Sequence, residues 1–301
     1  MAPLTCLLLS LLALSAQGDW WDDWDPLGEA LDPVPSGGSF QFNALRSGWR
    51  SADLAFLVDV TGSMQPYIEA VKKAIRRIVE KANRDEMSVR VAFVGYRDPY
   101  GDGSSGRGPI PFGGSVSSSH PPDFEVLAFT RNIPNFNSFV SGLRARGGGD
   151  TPEDVFGGLE KAGEGLDWDS SGFKRILFHI ADQPAHGRLY GGDSGYHPDG
   201  DPRRRSLNRL FRTLKRERVQ YAFGKIKSQT DQMLREFESE WGEPIRQFLI
   251  DVTRRPYWPG APGLSGSVDA GGWSGVGGRG GTDSEAVAER IVDAVGDLLE
   301  E

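Results

Sequence analysis

Asp53-Leu54-Ala55-Phe56-Leu57-Val58-Asp59-Val60-Thr61-Gly62-Ser63-Met64 is the stretch on which the reading of this sequence turns. Leu54 to Val58 is an uninterrupted apolar run, of strand length and with no polar side to show to water, which suits a strand covered on both faces. The run ends on Asp59, and hydroxyls follow at alternate positions, Thr61 and Ser63. Three oxygen side chains on one turn suit a hard cation such as Mg2+, Mn2+ or Ca2+. Taken alone, the turn has a plainer use, in which Asp59 braces it and Thr61 or Ser63 caps the helix that follows.

Outward from this stretch, strand and helix signals alternate. A helix is expected from Pro66 to Asn83, with Ile68, Val71, Ile75, Ile78 and Ala82 at helical spacing and Lys72, Lys73, Arg76 and Arg77 outside that stripe, as a solvated face. Strands follow at Val89 to Tyr96 and Phe124 to Phe129, then helices at Asn135 to Arg144 and Thr151 to Leu166. The series continues with a strand at Arg175 to Ile180, a helix at Ser206 to Arg216, a strand at Val219 to Ile226, a helix at Asp231 to Glu240, a strand at Phe248 to Val252 and a helix at Ser284 to Leu299. Alternation of this length predicts an α/β fold: a doubly wound, mainly parallel central sheet with helices on both faces.

In such a sheet, ligands collect beyond the carboxyl ends of the strands. The strand at Arg175 to Ile180 runs out into Ala181-Asp182-Gln183-Pro184, which gives a second carboxylate at the same edge if the two strands are neighbours. Between them lies Gly147-Gly148-Gly149-Asp150-Thr151-Pro152-Glu153-Asp154, where Thr151-Pro152 reads as a helix cap and first helical residue. Three oxygen-rich strand-end loops in one chain point to a site more strongly than any one of them.

Composition narrows the classes. The chain has 301 residues with Cys6 as its single cysteine, which excludes a disulfide scaffold and a four-cysteine zinc site. Residues 1–18 carry no charged side chain and hold the run Leu7 to Leu14, so a secretory signal peptide is expected, against the alternative of a buried N-terminal helix. No stretch approaches the ~20 apolar residues of a membrane span. Residues 19–50 read as an acidic arm and linker, with six carboxylates between Asp19 and Val34 and with Trp20, Trp21 and Trp24 among them. Of the net charge of −8, residues 35–301 keep only −2 and show no basic stripe, which argues against nucleic acid as a partner. Gly-rich insertions are expected at 97–122 and 260–281 within a domain spanning 51–301.

The set Asp59-x-Thr61-x-Ser63, Thr151 and Asp182 resembles the metal-ion-dependent adhesion site of von Willebrand factor A domains, over about residues 51–300. Tyr96-Arg97-Asp98, Gly149 to Asp154, and Gln183-Pro184-Ala185-His186-Gly187 look closest to the A domains of atypical alpha-kinase proteins, here without the kinase domain. The resemblance implies that the hydroxyls of Thr61, Ser63 and Thr151 bind a divalent cation, Mg2+ or else Mn2+ or Ca2+, with Asp59 and Asp182 acting directly or through water. One position stays open for an acidic side chain of a protein or matrix ligand. Many members carry Ser where Thr61 stands, and the oxygen is retained. Asp98 and Asp150 are candidates to support the ligands from behind, and Ile110, Phe112, His186 and His197 are candidates to touch the partner.

These residues predict a secreted adhesion module and no enzyme. The enzymatic alternative is a Mg-dependent phosphohydrolase of the haloacid-dehalogenase type with Asp59 as nucleophile; it needs a carboxylate two residues later, where this chain has Thr61. His186 and His197, with Asp193, Asp199 and Asp201, are expected to be solvated loop residues rather than a second metal site.

Overall fold

β1 (Ser51–Asp59) lies in the middle of a six-stranded sheet, flanked by β2 (Ser88–Tyr96) and β4 (Lys174–Ala181). The structure, a computed structural model, describes residues 51–84, 87–98, 123–147, 151–169, 173–192, 197–250 and 283–301. With β3 (Phe124–Thr130), β5 (Gln220–Lys225) and β6 (Arg246–Leu249), the strand order is β3-β2-β1-β4-β5-β6. Every pairing is parallel except β2 with β3, which is antiparallel. The expected α/β sheet is therefore present, with one antiparallel edge strand.

Pairing of Leu54 with Ile176 and of Val58 with Ile180 makes β1 and β4 direct neighbours in register. Their carboxyl ends therefore come out side by side, as the reading of Asp59 and Asp182 required.

Period-two geometry divides the strand residues between two cores. Leu54, Phe56 and Val58 face one core with Ile68, Val71 and Ile75 of α1 (Gln65–Arg84), Phe136 of α2 (Ile133–Gly142) and Ile291 and Val295 of α6 (Ser284–Glu300). Ala55 and Leu57 face the other, with Leu159 of α3 (Val155–Glu164), Leu210 and Leu214 of α4 (Leu207–Arg216) and Phe237 of α5 (Asp231–Trp241). Because both faces are buried, β1 has no polar alternation, and each large apolar side chain contributes about 1.5–3 kcal/mol of transfer free energy.

Two local expectations are corrected. The third helix starts at Val155 and not at Thr151, because its cap is Asp154, whose Oδ1 accepts the Gly157 N–H at 2.8 Å. The segment before it is tied to the loop beyond β4 instead, through Glu153 N–H to Pro184 O at 3.0 Å. A Cβ at Gly157 would lie 2.3 Å from both the Arg205 guanidinium and the Asp154 carboxylate, so a larger residue would force this capping pair to move. Nor are the four bases of α1 a uniformly solvated face. Lys72 is buried and donates to Glu69 Oε1 at 2.8 Å and Leu143 O at 2.9 Å, while Lys73 and Arg77 pair with Glu285 at the start of α6.

Candidate functional site

The turn that ends β1 folds back on its own carboxylate. Asp59 is fully buried, and its Oδ1 accepts the Thr61 backbone N–H at 2.8 Å and the Thr61 hydroxyl at 2.6 Å. Ser63, exposed on the next turn, donates its hydroxyl to Oδ1 of the fully buried Asp182 at 2.9 Å. Each hydroxyl has one proton, and a carboxylate is its strongest acceptor. With both protons so placed, the 3.2 Å contact between Thr61 Oγ1 and Ser63 Oγ brings two oxygens together with no proton between them.

Electrostatics make this corner electron-rich. Asp59 Oδ2 is buried without a hydrogen-bond partner. Burial first, and then the negative charge of Asp182, push the Asp59 carboxyl up from 3.8 to about 7, against the pull of the Thr61 donors. An unsatisfied buried carboxylate oxygen beside a second carboxylate is a costly arrangement unless a proton or a cation comes in. The donor set of hydroxyls and carboxylates fits Mg2+, Mn2+ or Ca2+ and offers nothing to a soft metal. Among the described residues no three His, Cys, Asp or Glu side chains gather into a metal-binding group, so a cation here would rely on hydroxyl oxygens.

Neighbouring loops hold the corner in place. Gly62 N–H donates to Gly147 O at 3.0 Å and Arg146 N–H to Val60 O at 2.9 Å, joining the segment after α2 to the β1 turn. Arg97, just beyond β2, is buried and donates from Nε to Arg146 O at 3.0 Å and from its terminal nitrogen to Glu125 Oε1 at 2.7 Å.

His186 and Asp98 form a second staple. The His186 Nε2 lies 2.9 and 3.1 Å from the two Asp98 carboxylate oxygens, and the Asp98 N–H donates to Glu153 Oε2 at 3.2 Å. This links the loops beyond β2 and β4 to the segment that carries Thr151.

Four of the five expected ligands are thus brought together: Asp59, Thr61, Ser63 and Asp182. Thr151 is exposed on the stapled segment, and the hydrogen-bonded chain of the other four stops short of it. His186 is not a solvated loop residue; it is 2 % exposed and turned onto Asp98, with the half-buried His197 ring 5.1 Å away. Asp150, Ile110 and Phe112 lie outside the described residues, as do Asp193 and the arm at 19–50.

The residue that sequence reasoning missed is Lys227, whose ammonium pairs with Asp182 Oδ2. Its signal was present, since it stands at the carboxyl end of an apolar run as Asp59 and Asp182 do. A cleft of about 990 Å3, lined by Leu166, Trp168, Arg209, Arg212 and Glu217, includes none of the site residues.

No family model matches the chain. It is 34 % identical over 208 residues to the alpha-protein kinase vwkA of Dictyostelium discoideum, covering 68 % of this chain and 30 % of that protein. It is 30 % identical over 134 residues to an ariadne-like RING finger protein of Acanthamoeba polyphaga mimivirus, covering 44 % of this chain and 11 % of that one. The chain therefore spans less than a third of the length of these curated relatives. Among solved structures, the open conformation of the pilus adhesin SpaC from Lactobacillus rhamnosus GG aligns with a TM-score of 0.49 at 14 % identity, over 83 % of this chain and 30 % of that one. Proximal thread matrix protein 1 of the mussel byssus aligns with a TM-score of 0.40 at 12 % identity, over 62 % of this chain and 39 % of that one. Among the described residues no helix is long and apolar enough to cross a membrane.

Proposed function

We propose that the chain is a binding module of the von Willebrand factor A type, which captures an acidic group of a protein or matrix partner through a divalent cation held at the carboxyl edge of its sheet. The observation that carries this reading is the close approach of the Thr61 and Ser63 hydroxyl oxygens, each donating its proton to a buried carboxylate, with one of those two carboxylates keeping an oxygen that has no hydrogen-bond partner. Thr61 and Ser63 would hold the ion, Asp59 and Asp182 would orient those hydroxyls and balance its charge, and Thr151 would join from its exposed segment. When bound, the ion supplies a positive centre with room for a carboxylate of the partner.

The residue two positions beyond Asp59 favours binding over catalysis. A phosphohydrolase that used Asp59 as nucleophile would need an acid or base there, and Thr61 directs its proton to Asp59 itself. The signal-like residues 1–18 support export.

The test is a thermal melt of residues 19–301 in chelator, Mg2+ and Mn2+, beside a pull-down from extracellular material with and without chelator. A melting temperature that rises with Mg2+ in the wild type and not in Asp59→Ala, together with chelator-sensitive capture, is the expected result. Identical melts would remove the cation from the account. Hydrolysis of an aryl phosphate that disappears in Asp59→Asn would replace the binding reading with the enzymatic one.

A further inference from the structure

We propose that Lys227 is a built-in counter-ion of the cation site, seated on Asp182 while the site is empty and competing with the divalent cation for that carboxylate. The inference rests on reading Asp59, Thr61, Ser63 and Asp182 as the cation site.

The placement of Lys227 follows from the sheet. β5 runs parallel to β4 with Lys225 opposite Ala181, so the residues after Lys225 emerge beside Asp182. Two lysines stand there, and they part company: Lys225 pairs with Asp231 at the start of α5, whereas Lys227 reaches Asp182 Oδ2. The Lys227 backbone is pinned, since the fully buried Thr230 donates its hydroxyl to Lys227 O at 2.9 Å. Only the side chain is left to move. It is 17 % exposed at a site where Asp182 has no exposure, so the ammonium reaches the carboxylate from the wet side.

Charge then sets up the competition. Asp182 has one oxygen on the Ser63 hydroxyl and the other on Lys227, while Asp59, its buried neighbour, pairs with no cation among the described residues. With both carboxylates ionised, the two of them and the one ammonium leave this corner with a single net negative charge. A divalent ion entering with the ammonium still seated would overshoot, and would place two like charges within a few ångströms in a partly desolvated corner. A lysine head on a flexible four-carbon stem can withdraw into water at modest cost. Each cation bound therefore displaces one ammonium, and the apparent affinity falls by the strength of the Lys227–Asp182 pair. The consequence is a threshold: the site fills where divalent cation is abundant and stays closed by its own lysine where it is scarce.

The experiment is calorimetric titration of the full chain with MgCl2 and with MnCl2 in 0.15 M monovalent salt, for wild type, Lys227→Met and Lys227→Arg. Met keeps the apolar stem and removes the charge; it is expected to tighten cation binding at least about tenfold, from the unit charge removed. Arg keeps the charge and should show no tightening. The melting temperature in chelator supplies a second reading, with Lys227→Met below wild type without cation and level with it or above in saturating Mg2+. If wild type binds cation and Lys227→Met binds no more tightly, the counter-ion role is overturned and the cation site stands. If wild type is silent and Lys227→Met binds, both stand, with the lysine closing the site completely. If neither binds, both fail.

Discussion

Asp53 and Asp59 lie on the same strand, six positions apart, and neither has any exposed surface. Asp53, near the amino edge of the sheet, is saturated. Arg90 grips it with two parallel bonds, Nε to Oδ1 at 2.7 Å and a terminal nitrogen to Oδ2 at 2.5 Å, and the Asp169 N–H adds a third at 2.7 Å. Asp59, at the carboxyl edge, receives two bonds on one oxygen and none on the other, and its charged neighbour is a second carboxylate. One buried aspartate is scaffold because its charge is answered within the chain. The other has charge left to offer.

The largest effect that separates the two ends is expected at Asp53. Asp53→Ala would take the shared carboxylate from the Asp169 N–H and from the Arg90 guanidinium, 15 % exposed, which would keep its bond to Asp167 O at 3.0 Å, and it should lose about 3–5 kcal/mol in urea unfolding at pH 7. Mg2+ binding by the surviving folded fraction should be unchanged. A loss under about 1 kcal/mol would show the saturated end to be dispensable and break the contrast.

Next in size is the response to cation. Wild type should gain about 2.7 kcal/mol at a Mg2+ concentration a hundredfold above its Kd, and Asp59→Asn should gain nothing. In chelator, Asp59→Asn should be no less stable than wild type, because it removes one of two neighbouring buried negative charges. If the neutral variant is clearly weaker in chelator, the carboxylate is structural after all and the two ends are alike.

A third buried polar centre sharpens the rule that saturation marks scaffold. The His179 ring is fully buried between Tyr96 and Tyr221, with Nε2 2.8 Å from one hydroxyl and Nδ1 2.7 Å from the other. Burial holds it neutral by lowering its pKa from 6.5 to about 3. Between those two values the unfolded chain binds a proton that the folded one refuses, so the contribution is complete above pH 6.5 and lost as pH falls towards 3. At pH 5 the loss should be about 2 kcal/mol. Urea titrations at pH 7, 6 and 5 should show this slope in wild type and a flatter one in His179→Leu, which starts less stable. Equal slopes would place the acid sensitivity elsewhere.

The smallest effect is expected at Thr61. Thr61→Ser keeps the oxygen that donates to Asp59 and deletes one buried methyl, so it should cost about 0.5–1 kcal/mol and shift Mg2+ affinity less than about threefold. A larger shift in affinity would mean that the methyl, and not the oxygen, sets the geometry of the turn.

Leu54 to Val58 was legible as a strand buried on both faces because five consecutive apolar residues have no other favourable place in a water-facing domain. Asp59 and Asp182 were legible as neighbours because a parallel sheet sends its strand ends to one edge. The start of α3 was not: Thr151-Pro152 carries an ordinary start signal, and Asp154 prevails because Glu153 is held to the loop beyond β4. Lys72 looked like surface because the helical stripe ran beside it, and its burial comes from carbonyls at the end of α2, some seventy residues away.

What the sequence determined by itself was local and periodic: where strands and helices lie, which edge carries oxygen ligands, and which elements supply them. These follow from side-chain polarity and spacing along one segment. Only the tertiary structure decided which buried charges find an answer. Arg90 meets Asp53, Lys227 meets Asp182, His186 meets Asp98, and among the described residues Asp59 Oδ2 meets no hydrogen-bond donor. Such pairings join residues far apart in sequence and depend on register and on which loops share an edge, so the reason is geometric: a carboxylate's role is set by what stands within about 3 Å of it.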